Sequence, residues 1–397
     1  MKLKEIKVKE VLDSRREKTI QVIVKTASGT FNTSSPSGKS IGKFETPVFN
    51  MNIKNSINIL NSKIEQIKQI DFEHFISLEE LEKVMGKKDV GANILFALEA
   101  CILKALAARE GKELWEYLNS KARKFPMPVG NIIEGGLHSR GKNGKKPDFQ
   151  EYLIIPRTRK FFDANYIMKY AHKVAGERLK LRNSREGFSD EKGWVTSLTN
   201  NEALEVLNET REEIISQLNN KIEIGVDIAA SEIYTGYIYN YQNPVKRLKP
   251  MEQVDYILNL AEKYRVGYLE DPLDQNDFAN FRILRNKINK IRPCLIVGDD
   301  LTATQITRFK KAMKERSINS IIVKVNQNGS LIDVKKIIDL AKISEIAIVF
   351  SHRSGETMDS TISDLAFAWG ADFVKFGAAG KERDSKLNRL IEIEKKV

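Results

Sequence analysis

Cysteine is nearly absent: the 397 residues hold two, Cys101 and Cys294. A fold built on disulfides is excluded. Each thiol sits in an apolar run, ACILKAL or RPCLIVG, where a small buried side chain in a reducing compartment is the usual reading. An apolar leader is missing as well. The opening MKLKEIKVKE alternates charge with single apolar residues, and the most apolar stretch, 92–108, is interrupted by Glu99 and Lys104. Neither a standard secretion signal nor a membrane span is expected, and a cytoplasmic location is. The net charge of +12 comes without an RNP motif, zinc-finger spacing or long basic run. Specific nucleic-acid binding is therefore disfavoured, and the charge reads as a solvated surface that attracts anionic ligands.

What is present is globular: 41% hydrophobic and 30% charged residues, in a chain long enough for two domains. The first part opens with two alternating runs, IKVKEVLD and TIQVIVKTA, that suit a half-buried antiparallel sheet and are followed by helical patterns. Between them, residues 28–44 (SGTFNTSSPSGKSIGKF) show neither period and are expected to form an exposed, mobile loop. Pro126 and Pro128 follow a helical stretch. They place a boundary between a smaller α+β unit, 1–125, and a second unit, 126–397.

From Ile222 onward, short apolar runs each end in a polar residue: Asp227, Glu270, Asp299, Lys324, Ser351-His352 and Lys375. Helix-patterned segments such as DFANFRILRNKINK and LIDVKKIIDLAK lie between them. This cadence is that of buried parallel strands, so the expected fold is α/β, a (β/α) barrel after the smaller unit. An open doubly wound sheet is the alternative, but no G-x-G-x-x-G follows a strand. In a barrel the C-terminal strand ends share one mouth, and these ionisable residues should converge there.

Asp227, Glu270 and Asp299 are hard oxygen donors without a thiolate or imidazole cluster, which suits Mg²⁺. One such carboxylate alone could equally cap a helix or pair with a surface lysine; three at successive strand ends favour a metal. Lys324 and Lys375 would face the same mouth. A neighbouring cation and Mg²⁺ would each lower a lysine pKa toward the range of a general base. His352-Arg353-Ser354-Gly355 offers an imidazole, a guanidinium and a hydroxyl in one turn, suited to a phosphate oxyanion. The Gly38-Lys39-Ser40 triplet is no nucleotide P-loop, because the required earlier glycine position holds Thr33.

Taken together, VLDSR (11–15), SPSGKSIGKFE (35–45), GANILFALEACILKA (91–105), SDEKG (189–193), LEDPLDQNDF (269–278), VGDDLT (297–302), VKVNQNGS (323–330), SHRSGET (351–357) and VKFGAAG (374–380) resemble the enolase family, in order along the whole chain. The resemblance implies a smaller α+β N-terminal domain on a modified (β/α)8 TIM-type barrel, and a carbon–oxygen lyase that interconverts 2-phospho-D-glycerate and phosphoenolpyruvate in glycolysis and gluconeogenesis. It implies two Mg²⁺ per site, the first held by Asp227, Glu270 and Asp299, the second joined by Ser40 when substrate closes its loop. Lys324 would be the general base and Glu191, assisted by Glu151, the general acid, protonated when Lys324 is neutral. Gln150, His138, His352 and Lys375 would line the substrate, with Arg353 and Ser354 on its phosphate. The family further suggests a homodimer or an octamer.

The sequence departs from the family beside these positions. Arg16-Glu17-Lys18 replaces a glycine-asparagine pair and a proline, Glu134 an asparagine, Lys192 a glycine, Lys39 a small residue and Phe376 a threonine, while 139–148 lengthens the segment after His138. A paralogue acting on a related or bulkier 2-hydroxy acid, or an idle enolase-like binding protein, are the alternatives these changes raise.

Overall fold

The computed structural model describes residues 1–39, 42–139, 141 and 144–397. Strands β1 (Glu5–Leu12), β2 (Lys18–Lys25) and β3 (Thr30–Ser34) form an antiparallel sheet in the order β1-β2-β3. In β2 the alternation TIQVIVK turns Ile20, Val22 and Val24 to one fully buried face, as a period of two requires. Against that sheet lies the helix Ala92–Arg109, buried along most of its length. The two charges that interrupt its apolar run have separate reasons. Lys104 donates to the Asn32 carbonyl and to Thr33 and pairs with Asp359, while Glu99 accepts from the Leu331 N–H at 2.6 Å.

The expectation of an exposed loop over 28–44 needs correction. Residues 30–34 are the third strand, and Thr33 and Ser35 are fully buried. The segment TFNTS carries little apolar signal, but its backbone is fixed by pairing with β2, Gln21 opposite Ser34 through Lys25 opposite Thr30. Ser35 then donates to the Asn93 carbonyl at 2.6 Å, so polar residues are buried with their hydrogen bonds made.

The second sheet has ten strands: β4 (Met127–Pro128), β5 (Gly130–Glu134), β6 (Glu151–Arg157), β7 (Trp194–Val195), β8 (Lys221–Asp227), β11 (Val266–Glu270), β12 (Leu295–Gly298), β13 (Ser320–Val323), β14 (Ala347–Ser351) and β15 (Phe373–Lys375). The hairpin β9 (Tyr239–Gln242) and β10 (Val245–Leu248) stands apart. From β8 through β11 to β15, and on to β4, neighbours are parallel; β6 runs antiparallel to both β5 and β8. Two helices, Phe161–Leu181 and Asn200–Leu218, separate β6 from β8, and single main helices follow in the later connections. This is a barrel modified in its first quarter. Its interior holds a packed cluster of its own, Val129, Leu153, Ile155, Tyr268, Val297, Ile322, Val349 and Phe373, contributed from around the ring.

The N-terminal sheet is bonded directly to the barrel mouth. Ser37 and Gly355 exchange backbone hydrogen bonds at 2.8 Å, and Ser14 N–H donates to the Glu356 carbonyl at 2.7 Å. Gly355 has to be glycine: a Cβ there would lie 1.9 Å from Asp13 Oδ2.

Candidate active site

The strand registers lay out the site. Glu134 pairs across from Glu151, Glu151 from Asp227, and Asp227 from Glu270, so four acids from β5, β6, β8 and β11 stand in one row. Asp299 follows β12, Lys324 follows β13, and Ser351 at the end of β14 stands opposite Lys375 at the end of β15. Because β6 runs the other way, it is its first residue, Glu151, that reaches this mouth.

Lys375 sits among three carboxylates, 2.7 Å from Glu151, 2.9 Å from Asp227 and 2.8 Å from Glu270. Burial disfavours its ammonium, yet Asp227, Glu151 and Glu270 together hold its pKa well above the ordinary value. Burial, then the Asp227 charge, pushes Glu270 well up, and Tyr268 donates to its other oxygen at 2.7 Å. Lys324 is paired with Asp299. Burial opposes the charge of both partners, but Asp299 raises Lys324 and Lys324 lowers Asp299.

A second group surrounds His138, whose Nδ1 lies 3.5 Å from Glu134, 3.4 Å from Glu151 and 3.6 Å from Glu191. Burial works against the imidazolium, but Glu191 and the other two carboxylates hold it well above its usual range. For Glu191 burial favours the neutral acid, yet His138 and His352, the latter at 2.9 Å, keep it ionised well below the carboxylate range. With the side chains so arranged, the expected pair of a neutral lysine and a protonated Glu191 is reversed. Each group stands against an opposite charge.

The remaining expected residues line the same cavity. Gln150, Arg353, Ser354 and Lys39 join Lys324, Lys375, Asp227, Asp299, His138, His352, Glu151 and Glu191 on its wall, and Glu270 is reached through Lys375. Ser40, expected to join a second metal, lies outside the described residues. The Arg353 guanidinium is held by both oxygens of Glu45, at 2.9 and 3.1 Å. Ser354 Oγ accepts from the Lys39 N–H at 2.6 Å, and Lys39 Nζ pairs with Asp190 at 3.0 Å.

Sequence reasoning missed Glu45, whose partner lies 308 residues away, and the role of Asp271. Its two oxygens accept from the N–H groups of Asp299 and Asp300, at 3.0 and 2.6 Å, fixing the turn that presents Asp299. The adjacency of Asp271 to Glu270 was the available signal.

For a hard divalent cation the donor chemistry fits: Asp227, Glu270 and Asp299 are buried, offer only oxygen and repel one another by charge, and lysine ammoniums balance that charge. Among the described residues two groups have ligand atoms all within 4.8 Å of one another, Asp271, Asp299 and Asp300 and, on the acid side, His138, Glu151 and Glu191; Asp227, Glu270 and Asp299 are spread wider than that around Lys375 and Lys324.

Residues 3–118 match the family profile described as the N-terminal domain of enolase, and residues 122–397 that of the enolase C-terminal TIM barrel domain. The chain belongs to the enolase family. It is thereby an enzyme of the phosphopyruvate hydratase class, a carbon–oxygen lyase. It is 34% identical to the enolase of Thermoplasma acidophilum, over 99% of this chain and 98% of that one. It is also 34% identical to the enolase of Picrophilus torridus, over 100% and 99%, and 32% identical to that of Archaeoglobus fulgidus, over 99% and 97%.

Two positions that depart from glycine in the enolase pattern have left-handed backbone. Arg16 and Lys192 have φ of 65° and 70°, the left-handed region that glycine enters without a Cβ penalty. The long segment after His138 is pinned where it is described. Lys146 donates to the Ser139 carbonyl at 2.8 Å, and Asp148 accepts from the N–H groups of Gln242 and Asn243 at 2.8 and 3.0 Å.

Proposed function

We propose that this enolase-family chain catalyses the Mg²⁺-dependent, reversible dehydration of 2-phospho-D-glycerate to phosphoenolpyruvate. The observation that carries the reading is one buried cavity lined both by a lysine on an aspartate, Lys324, and by a glutamate between two histidines, Glu191. Lys324 removes the proton beside the substrate carboxylate. Glu191, assisted by Glu151, gives its proton to the departing hydroxyl, so that a carbon–carbon double bond forms and water leaves. Both groups must first exchange states, Lys324 giving up a proton and Glu191 taking one, which favours work near neutral pH.

Asp227, Glu270 and Asp299 would hold the first Mg²⁺, and Ser40 would join the second; bound Mg²⁺ would supply the positive charge that offsets the second negative charge developing on the substrate carboxylate as the proton leaves its neighbouring carbon. Lys375, Gln150, His138 and His352 orient the substrate. Arg353 and Ser354 take its phosphate, for which the Glu45 carboxylate on Arg353 has to yield or share. The loop carrying Lys39 shields the cavity from water. We place the enzyme in the cytoplasm, in glycolysis or gluconeogenesis, as a homodimer or an octamer of dimers. Among the described residues no helix is long and apolar enough to cross a membrane.

A second reading, a paralogue acting on a bulkier phosphorylated 2-hydroxy acid, draws on Lys39 and Gly141, which border a further hollow beside the mouth together with Arg185 and Phe188. The test is ultraviolet absorbance of phosphoenolpyruvate formed from 2-phosphoglycerate, with Mg²⁺ and then with excess chelator. Formation that chelation abolishes is expected. Folded protein without turnover would overturn the proposal and turn attention to that hollow.

A further inference from the structure

Glu134 ends β5 at the one strand end where a carboxylate replaces the family's asparagine. It is fully buried behind the cavity wall, its oxygens turned to Asn131, Gly193 and His138. Oε1 accepts from Asn131 Nδ2 at 2.8 Å and from the Gly193 N–H at 3.1 Å. Gly193 is two residues beyond Glu191, in a turn closed by the Ser189 N–H on the Gly193 carbonyl at 3.0 Å and the Lys192 N–H on the Ser189 carbonyl at 3.2 Å. A Cβ at Gly193 would stand 2.6 Å from Glu134 Oε1, so beside this carboxylate residue 193 has to be glycine. Among the described residues Oε2 has no hydrogen-bond partner and looks onto His138 Nδ1, likewise without one, at 3.5 Å.

We infer that Glu134 is a positioning residue of this enzyme: it anchors the turn that carries Glu191 through the Gly193 N–H, and it draws the His138 imidazole away from Glu191. The inference rests on the reading of Glu191 as the general acid. The anchor matters because proton donation needs the acid held in reach of the leaving oxygen, and a small displacement of such a group costs rate steeply. The second part follows from the charges that surround the acid. Glu191 faces His138 and His352, Glu151 faces His138 and Lys375, and Glu134 faces His138 together with the other two carboxylates. An imidazolium shared with Glu134 attracts Glu191 less, and a third carboxylate repels its charge. Glu134 thus makes Glu191 easier to protonate, the state in which it can act.

Three variants separate reach from charge. Glu134→Gln keeps an acceptor for Gly193 and loses the charge: we expect the limb of the kcat profile that reports Glu191 to move about one unit lower. Glu134→Asp keeps the charge and loses the reach: the limb should stay, and amide exchange of the 186–195 peptide should quicken. Glu134→Ala loses both, with kcat down at least about tenfold and KM within about twofold. Should the alanine variant fold poorly by circular dichroism, the other two carry the test. Equal limbs in Glu134→Gln and the parent, or equal peptide exchange in Glu134→Asp and the parent, would overturn the inference. Glu191→Gln is measured alongside: normal turnover there sinks the reading of the acid, whereas an inactive Glu191→Gln with a normal Glu134→Ala sinks this inference alone.

Discussion

Replacing Lys375 by methionine tests the charge balance of the site without metal chemistry. The side chain keeps nearly its shape, but Glu151, Asp227 and Glu270 lose an ammonium that stands 2.7 to 2.9 Å from each. All three are buried. Removing one partner of a buried ion pair costs about 3–5 kcal/mol, because the charges left behind are neither solvated nor paired. For a unit the size of this barrel, about 2 °C accompanies each kcal/mol. The melting temperature at neutral pH, in chelator, should therefore fall by about 6–10 °C.

Acid should undo the loss. Without Lys375 the three carboxylates have folded pKa values above their unfolded ones, so stability is full below the unfolded values, near pH ~4, and lost as pH rises through the folded ones. Calorimetry of parent and variant at several pH values, each with chelator and with excess Mg²⁺, reads both effects. Excess Mg²⁺ should return a few degrees to Lys375→Met, since a ligand at about a hundred times its Kd stabilises by about 2.7 kcal/mol. A Lys375→Met melt within about 2 °C of the parent in chelator at pH 7 would refute the reasoning. So would a deficit that does not shrink in acid.

Lys324→Ala should lower kcat by about two to four orders of magnitude with the circular dichroism spectrum kept, as loss of a general base does; near-normal turnover would remove Lys324 from that role. Glu99 is fully buried and held well above the carboxylate range by burial and by Glu82. Its raised folded pKa means the parent loses stability as pH rises above the unfolded value, so Glu99→Gln should gain stability relative to the parent between pH 5 and 8 in urea melts. Cys101 and Cys294 are both pushed up to about 12 by burial, and a thiol-reactive chromogenic disulfide at pH 8 should label neither until denaturant is added. Lys192→Gly should leave stability within about 1 kcal/mol, because relief of the left-handed lysine is offset by glycine's freedom in the unfolded chain; a loss above about 2 kcal/mol would show that the lysine side chain holds the turn.

The barrel was legible from Ile222 onward because buried parallel strands write continuous apolar runs, and a polar residue at the end of such a run is conspicuous. Asp227, Glu270, Lys324 and Lys375 stand where those runs stop. The first quarter was harder. NIIE and YLIIP are as apolar as the parallel strands, so nothing local tells that β6 runs backwards and brings its first residue, Glu151, to the mouth. Strand β3 was invisible for the opposite reason: TFNTS holds a single apolar residue, Phe31, and pairing with β2 supplies what side chains do not. The family resemblance named the mouth residues, but not Glu45 on Arg353 or Asp271 beneath Asp299 and Asp300. Those contacts follow from three-dimensional closure, which leaves no periodic trace in a sequence.

The same closure explains why so many acids can share one mouth. Glu134, Glu151, Asp227 and Glu270 stand on one row, Glu191 and Asp299 face it, Glu45 lies on Arg353, and the counter-charges are Lys324, Lys375, Arg353 and the imidazoles of His138 and His352. Seven carboxylates against three fixed cations and two titratable rings leave a negative bowl, which on its own would repel a phosphorylated carboxylate. In the proposed function that substrate enters only in company with added positive charge. Substrate affinity and divalent-cation affinity must then be coupled, each strengthening the other by the same factor. An apparent KM that falls as Mg²⁺ rises, matched by tighter Mg²⁺ binding in the presence of substrate, is what such a bowl requires; independence of the two would mean that Lys324, Lys375 and Arg353 suffice to draw the anion in.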